Sequence, residues 1–151
     1  DDIGSALVPL PDRPLLRQAQ DHLRLVYLDG SADETNAPAR ARTSMASARD
    51  LCIADVHELS MFHRGHEPAD VATWGRGLQL LEQARPSPSA DADTCRARVE
   101  SEVARAIAQA NELVALGKLD EARKAAEAID VRYAHLALPA LLALWNKLPV
   151  Q

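Results

Sequence analysis

Three histidines, His57, His63 and His66, lie close together in the sequence and are its best candidates for metal chemistry. Imidazole is a common ligand of zinc and copper, and two histidines three or four residues apart share one face of a helix. His63 and His66 have that spacing, so they are the candidate metal ligands. His57 lies six residues before His63, on another face of a helix. Because His63 also continues an apolar stripe, the alternative is a histidine packed in the core or at a turn.

Catalytic residues are harder to find. Cys52 and Cys95 have no histidine near them in the sequence, and Ser87 and Ser89 fall in a proline-rich linker. Neither of the glycine motifs G-x-G-x-x-G and G-x-x-x-x-G-K-[ST] occurs. We therefore expect no enzymatic activity and no cofactor. An enzyme without a recognisable motif is the third alternative, after binding of a protein partner and binding of a metal or small molecule.

Composition favours a helical protein of one domain. Of the 151 residues 47% are hydrophobic but only 3% aromatic, and alanine is abundant, which suits helix packing through small residues better than strands. The net charge of −5 and the scattered arginines lack the basic stripe typical of nucleic-acid binding. No apolar run is long enough to cross a membrane. We expect neither a nucleic-acid partner nor a membrane span.

Apolar periodicity predicts an all-α fold, with two antiparallel helical hairpins and an N-terminal helix packed as a bundle. Residues 1–13 are predicted to be a polar lead-in, and residues 14–151 a single domain with linkers near 31–38 and 85–93. The first helix is predicted over residues 14–28. The first hairpin is predicted over residues 39–84, with a long helix over 39–64 and a second helix starting at Pro68. The second hairpin covers residues 99–148.

The second hairpin has the strongest local signals. Its turn is predicted over residues 117–122, where Gly117 ends one apolar pattern and Leu119 begins the next. The last segment, residues 133–148, is apolar on nearly every side. Pro139 falls within it and is expected to kink the helix or to start a new one.

The two cysteines bear on the compartment. A bond between Cys52 and Cys95 would form only in an oxidising environment, whereas in the cytosol both side chains would be small buried thiols. The polar lead-in, with its prolines, is typical of a segment that follows a removed export signal. We therefore predict a disulfide between Cys52 and Cys95 and a periplasmic or secreted protein.

Several short motifs resemble those of one known family. They are Ala106-Ile107, Ala110-Asn111-Glu112, Gly117-Lys118, Asp120-Glu121-Ala122, Val131, Tyr133 and Leu138-Pro139, preceded by Ala48-Arg49-Asp50, Phe62-His63 and Gly65. In this order they resemble the YfdX family of bacterial periplasmic helical proteins. The resemblance covers about 100 residues and implies export, an α-helical and oligomeric protein, and a link to stress or acid response. It implies no catalytic residues, and the chain lacks the further C-terminal hairpin expected of the family.

Partner binding is the function that these observations favour. The last segment has more apolar surface than one hairpin covers, and tyrosine and tryptophan are common at interfaces. The candidate interface residues are Tyr133, Leu138, Leu141, Leu142 and Trp145. The alternative is that this segment is the core of the monomer. We predict a non-enzymatic interaction or stress-response protein that binds a protein partner or forms a homo-oligomer. The alternative is a metal-binding or small-molecule-binding module that uses the region of His57, His63 and His66.

Overall fold

The computed structural model describes residues 15–85, 89–138 and 140–149, and these residues form six helices and two strands. In chain order the elements are α1 (Leu15–His22), β1 (Leu25–Gly30), α2 (Ala37–Asp50), β2 (Val56–Met61), α3 (Val71–Glu82), α4 (Ala90–Ala115), α5 (Leu119–Arg132) and α6 (Ala140–Trp145). The chain divides into two compact units. We call Ala19–Glu100 the sheet unit, and Asp1–Gln18 with Ser101–Gln151 the hairpin unit.

A two-stranded parallel sheet lies at the centre of the sheet unit. Strand β1 pairs with β2 from Leu25 opposite Val56 to Gly30 opposite Met61. Parallel strands need a crossover of a dozen or more residues, and α2 supplies it. The result is a β-α-β arrangement, followed in the chain by α3, which also packs on the sheet. The predicted all-α fold is therefore wrong.

The two strands occupy stretches that the periodicity assigned to helices. The predicted helix over residues 14–28 ends at His22, and its second half, with Val26 and Tyr27, forms β1. The predicted helix over residues 39–64 ends at Asp50, and β2 follows. Cys52 lies between them with a left-handed φ of 65°, which a continuous helix does not allow. The first predicted hairpin, residues 39–84, is therefore a strand flanked by two helices. Short apolar runs fit both periods, and here pairing between the strands decides.

Helices α2 and α3 pack on the sheet through small or flexible residues. In α2 the buried side chains are Met45 and Ala48. In α3 they are Thr73 and Gly77, and a β-carbon at Gly77 would lie 3.5 Å from a methyl group of Leu28. The α3 N-terminus is capped by Asp70, whose carboxylate accepts a hydrogen bond of 2.7 Å from the Thr73 backbone N–H. A helix was predicted to start at Pro68; it is present, but it begins three residues later, at Val71.

Arg24 connects three elements at the amino end of the sheet. It precedes β1, and its guanidinium donates to the carboxylate of Asp55, which precedes β2. The same group donates to the carbonyl oxygens at the end of α3: those of Leu80, Leu81 at 3.1 Å and Gln83 at 2.7 Å. The Arg24 side chain is only 6% exposed. Burial raises the pKa of Asp55, but its hydrogen bonds to Arg24 and His57 outweigh burial, and the pKa is lowered.

The loop before β2 is held from several sides. The sulfur atoms of Cys52 and Cys95 lie 1.99 Å apart, at disulfide-bonding distance, which joins this loop to α4. The Gln20 side chain donates to the Leu51 carbonyl oxygen at 2.9 Å. Arg98 of α4 donates to the carbonyl oxygen of Asp50 at 3.2 Å. These contacts fix the point where the chain enters β2.

The hairpin unit contains the helix-turn-helix that the sequence predicts. Helices α4 and α5 are joined by a short turn in which Gly117 has a φ of 73°. Arg132, the last residue of α5, lies 3.8 Å from the carboxylate of Glu102 on α4, so the two helices run antiparallel. The fully buried side chains facing the core of this unit include Ala110, Ala122 and Ala126.

The last segment is not one continuous helix. Helix α5 ends at Arg132, Ala134 and His135 adopt left-handed φ values of 50° and 62°, and α6 begins only at Ala140. The turn between α5 and α6 accepts hydrogen bonds from the start of α1, since the Leu15 and Leu16 N–H groups donate to the carbonyl oxygens of Leu138 and Leu136. This pairing satisfies two of the free N–H groups of α1.

Some predictions fall wholly or partly outside the described residues. These are the polar lead-in over residues 1–13, the effect of Pro139, and residues 86–88 of the predicted linker over 85–93. The described part of that linker ends early, because α4 begins at Ala90. The linker predicted over residues 31–38 is likewise shorter, since α2 begins at Ala37.

We expect the bond between Cys52 and Cys95 to stabilise the protein by about 4 kcal/mol, because it closes a loop of about 43 residues in the unfolded chain. Urea unfolding of the oxidised protein, with and without reductant, measures this difference. The double variant Cys52→Ser, Cys95→Ser is the control, and reductant should leave its unfolding unchanged. Two alkylatable thiols in the natively produced protein would contradict the prediction.

We expect Arg24→Met to lower the free energy of unfolding by about 3 kcal/mol, because it leaves Asp55 and the α3 carbonyl groups without their buried partner. Urea unfolding provides the value. The matched control is Arg42→Met, which removes an exposed ion pair with Glu58 and should cost less than about 1 kcal/mol. Equal losses of unfolding free energy in the two variants would show that the buried contacts of Arg24 contribute no more than an exposed ion pair does.

Candidate functional site

The carboxyl ends of β1 and β2 meet at one edge of the sheet, which is where open α/β sheets place their binding sites. The loops that follow the two strands are hydrogen-bonded to each other. The Ser31 N–H donates to the Met61 carbonyl oxygen at 3.0 Å, and the Ala32 N–H donates to that of Arg64 at 2.9 Å. The His63 N–H donates to the Ser31 hydroxyl oxygen at 2.9 Å. Hydrogen bonds between the two loops therefore hold the backbone at this edge in one arrangement.

Gly30 allows this close contact. A β-carbon at Gly30 would lie 2.3 Å from the carbonyl oxygen of Gly65 and 2.4 Å from that of Arg64. No other residue type fits there without moving the backbone of the second loop. The last residue of β1 is thus a glycine because two backbone segments touch at this point.

An open cleft of about 570 Å³ lies beside β1 and this edge. Its volume is in the range of small-molecule sites. The wall is formed by residues of β1, of the end of β2, of the two loops and of the start of α3. They are Val26, Leu28, Asp29, Gly30, Asp33, Ala37, Met61, Gly65, His66, Glu67, Pro68, Ala69 and Trp74.

Asp29 is the most unusual residue of the cleft wall. It is only 5% exposed, and neither of its carboxylate oxygens has a hydrogen-bond partner among residues 15–85, 89–138 and 140–149. A buried carboxyl group without a partner is costly, and native proteins rarely keep one without a purpose. Both oxygens are also closed to solvent, so the carboxyl group is enclosed by the protein rather than open to the cleft.

Asp33 and His66 form a second polar group in the same wall. The Asp33 carboxylate lies 2.9 Å from His66 Nδ1 and accepts hydrogen bonds from the hydroxyl and the backbone N–H of Thr35 at 2.6 and 2.7 Å. The hydrogen bond from the Thr35 hydroxyl, then that from His66, and then that from the Thr35 backbone lower the pKa of Asp33 to about 2. Asp33 is therefore ionised at neutral pH, and its side chain is only 4% exposed.

The rest of the wall combines negative charge with apolar surface. Glu67 adds a third carboxyl group, and Arg64, which does not line the cleft, donates to it at 2.7 Å. No lysine or arginine is among the described residues that line the cleft. Trp74 supplies an aromatic ring and is 54% exposed. Such a wall suits a small organic molecule with an apolar body and a hydrogen-bond donor.

The structure separates the three histidines named as candidate ligands. His57 lies near the start of β2, where its Nε2 is 2.7 Å from the Asp55 carboxylate. His63 and His66 follow the other end of β2, on a loop rather than on a helix. His63 has a left-handed φ of 57°, and its ring lies against that of Phe62 with centroids 3.8 Å apart and the ring planes tilted by 51°.

Metal binding gains no support from this arrangement. Within the described ranges, no group of three or more histidine, cysteine, aspartate or glutamate residues is placed to hold a metal ion. The spacing argument for His63 and His66 assumed a helix, and the loop removes its basis. What the structure brings together instead is His66 with Asp33.

The predicted interface residues divide into two groups. Tyr133 and Leu141 are 3% and 0% exposed, so they belong to the core of the hairpin unit. Leu138, Leu142 and Trp145 are partly exposed.

A second apolar surface was not predicted. Val71, Trp74, Leu78 and Leu81 of α3 are exposed by 88%, 54%, 53% and 48%. We call these four residues the α3 stripe. The apolar periodicity of α3 does not mark its buried face, because α3 packs on the sheet through Thr73 and Gly77 instead.

Sequence reasoning missed Asp29, Gly30 and Asp33 altogether. The available signal was the apolar run of residues 25–28, which is followed directly by Asp-Gly and a polar turn. Such a run is typical of a buried strand that ends at a turn, and an acidic residue at its end would then lie at the carboxyl edge of a sheet.

No helix among the described residues has the length and apolar character needed to cross a membrane. Comparison with known proteins adds no relative to these findings: no model of a protein family, no curated protein and no solved structure matches this chain.

Proposed function

We propose that this chain is a non-enzymatic binding protein whose ligand is a small organic molecule held in the cleft at the carboxyl edge of the sheet. The observation that carries the proposal is the cleft itself, whose wall places the paired side chains of Asp33 and His66 beside apolar residues. The cleft volume of about 570 Å³ suits a ligand of ordinary metabolite size.

Binding without catalysis fits the chemistry of the wall. The described lining residues include no serine, threonine, cysteine or lysine that could act as a nucleophile. The one imidazole, that of His66, is paired with Asp33. These groups are suited to recognising a ligand by charge and by hydrogen bonds.

We further propose that the protein acts outside the cytosol, in the periplasm or as a secreted protein. The support is the pair of cysteine sulfur atoms at bonding distance, because such bonds persist in oxidising compartments. The resemblance to the YfdX family points in the same direction and would add a role in stress or acid response.

Filling the cleft tests the binding proposal. We expect Ala69→Phe, which places a ring in the cleft wall, to weaken the binding of any small-molecule fragment by about tenfold or more while the fold is kept. Fragments of each charge type are titrated while amide chemical shifts are followed by NMR.

The matched control is Ala72→Phe, because Ala72 lies exposed on α3 and is not part of the cleft wall. It should bind as the unaltered protein does. Fragments that shift amides only outside the cleft, or that bind Ala69→Phe as well as the unaltered protein, would contradict the proposal.

Self-association is a second candidate function, favoured by the α3 stripe. Its members are spaced symmetrically about Arg76, so two antiparallel copies of α3 would place Trp74 against Leu78 and Val71 against Leu81. A two-fold interface needs such a self-complementary surface. A β-carbon at Gly75 would meet no atom within 4 Å, so the backbones of two helices could approach there. We therefore propose a second copy of this chain as the occupant of the stripe.

An interface built on one helix is small, so we expect a dimer that forms reversibly as concentration rises. Leu78→Ser combined with Leu81→Ser should shift this equilibrium towards monomer by about tenfold or more, because two apolar anchors are lost. Sedimentation velocity over a range of concentrations measures it.

The control for the stripe is Val131→Ser, which changes an apolar residue that is 74% exposed on α5 and lies outside the stripe. The dimer should persist in that variant. A monomer at all concentrations, or a dimer unaffected by the double change, would rule out the stripe. In the latter case Leu138, Leu142 and Trp145 are the next residues to change.

A further inference from the structure

We propose that two copies of this chain pair through the edge of β1 that faces away from β2, which we call the β1 edge. Their sheets would join into one continuous sheet, with the two α3 helices side by side beneath it. This inference rests on the proposed self-association through the α3 stripe and adds a second surface to it. The juxtaposition that supports it is the β1 edge beside the α3 stripe, with Trp74 in both the stripe and the cleft wall.

The backbone of β1 bonds to β2 through alternate residues. Leu25 is one of them, because its N–H donates to the Asp55 carbonyl oxygen at 2.9 Å. Val26 and Leu28 have the opposite parity and direct their N–H and C=O groups away from β2. None of these groups has a backbone partner among residues 15–85, 89–138 and 140–149. The β1 edge therefore presents free donors and acceptors to another strand.

The β1 edge lacks the features that protect strands from pairing with another chain. Proteins commonly block such edges with charged side chains, proline or a covering contact. Residues 25–28 read Leu-Val-Tyr-Leu, with neither charge nor proline. The edge of β2 differs, since the outward carbonyl oxygen of Val56 accepts a hydrogen bond of 3.3 Å from Arg49, and Glu58 is paired with Arg42. We therefore assign the pairing to β1 and not to β2.

The α3 stripe lies on the same side of the sheet as the β1 edge. The cleft wall combines Val26 and Leu28 of β1 with Trp74 of the stripe, while β2 contributes Met61 at its end. Helix α3 contacts the sheet at Gly77, about a quarter turn around the helix from the stripe. The stripe therefore points sideways, beyond the β1 edge. A second copy on this side would contact both surfaces and cover the cleft as well.

One two-fold axis can serve both surfaces. A β-carbon at Gly77 would lie 3.5 Å from Leu28 and 3.8 Å from Val26. Gly77 is therefore level with Tyr27, the residue between them. The stripe is centred on Arg76, one residue or about 1.5 Å further along the helix axis. An axis through the middle of β1 thus passes close to the middle of the stripe, as a symmetric dimer requires.

Antiparallel pairing about Tyr27 would use the free backbone groups in full. Val26 of one copy would exchange two hydrogen bonds with Leu28 of the other, and the axis repeats this pair. The two Tyr27 residues would then face each other, with Cα atoms about 4.5 Å apart. Aromatic pairs across neighbouring strands stabilise a sheet further.

The spacing of the two layers agrees with this arrangement. A β-carbon at Gly77 would also lie 3.9 Å from Leu59 of β2, so α3 lies over the space between the two strands. Because strands pair about 4.8 Å apart, the α3 axes of two joined copies would lie about 10 Å apart. Helices pack at about 8 to 10 Å. The strand pairing and the contact between the stripes can therefore form together.

Amide hydrogen exchange of the full chain at several concentrations, followed by NMR, tests the pairing. In the monomer the outward N–H groups of Val26 and Leu28 should exchange rapidly with water. We expect their exchange to slow about tenfold when about nine-tenths of the chains are dimeric, because only the monomer then exposes them. Asp120 in the first turn of α5 is the reference, since N–H groups there lack helical acceptors, and its exchange should stay unchanged.

Val26→Pro tests the same contact by removing one outward N–H. Proline is tolerated in an edge strand where that N–H faces away from the neighbouring strand, so pairing with β2 should be kept. We expect sedimentation velocity to show dimer formation weakened by about tenfold or more. The matched control is Val26→Ala, which shortens the same side chain but keeps the N–H. It should dimerise more tightly than Val26→Pro.

Cross-linking locates the axis. Two copies of Tyr27→Cys would bring their new thiols together, because the expected Cα separation lies within the range of a disulfide. The native cysteines are bonded to each other, so the new thiol is free to react across the axis. We expect mild oxidation to give a covalent dimer. The control is Ser60→Cys, an exposed position on β2, which should stay monomeric.

The outcomes separate strand pairing from the contact between the stripes. If a dimer forms but Val26 and Leu28 exchange as fast in it as in the monomer, strand pairing is wrong and the stripe contact stands. Cross-linking of Ser60→Cys in place of Tyr27→Cys would also overturn it. A protein that is monomeric at every concentration would contradict both. If Val26→Pro does not fold, the exchange rates of the unaltered chain decide.

Discussion

The hydrogen bonds and the ion pair of Arg24 organise the sheet unit. A two-stranded parallel sheet has little stability of its own, so its strands must be positioned by what surrounds them. Arg24 does this at the amino end, where one guanidinium meets the Asp55 carboxylate and the carbonyl oxygens at the end of α3. A helix C-terminus carries partial negative charge, so both partners favour a cation there. One buried side chain thereby fixes β1, β2 and α3 in relation to one another.

The contacts of Arg24 occupy the amino end of the sheet, and the cleft lies at the opposite, carboxyl end. There the contacts are made by backbone, with Gly30 touching the Arg64 and Gly65 carbonyl groups. A rigid frame behind and a fixed loop in front can hold Asp29 in a position that its own interactions do not favour. Proteins keep such unfavourable groups where function needs them, and the stability comes from elsewhere in the fold. In this unit it comes from Arg24, from the packing of α2 and α3, and from the bond between Cys52 and Cys95.

Local signals in the sequence predicted the helices well where the turn chemistry was explicit. Gly117 between α4 and α5 and Pro68 before α3 are such signals, and a helix begins within three residues of each. The strands were missed because residues 25–28 and 56–61 are short segments that form strands only by pairing with each other, across more than twenty intervening residues. The cleft was missed for the same reason, since its wall exists only where the two strands end side by side. The cysteine pair was predicted because both the residue type and the compartment argument point to it.

The loop over residues 51–55 links the stability of the protein to its proposed site. Cys52 ties this loop to α4, and three residues later Asp55 receives Arg24. Both constraints act on the chain just before it enters β2, and β2 ends at Met61 in the cleft wall. A strand of six residues is stiff, so the position of its carboxyl end depends on how its amino end is held. The bond between Cys52 and Cys95 therefore constrains the start of the strand whose last residue, Met61, forms part of the cleft wall.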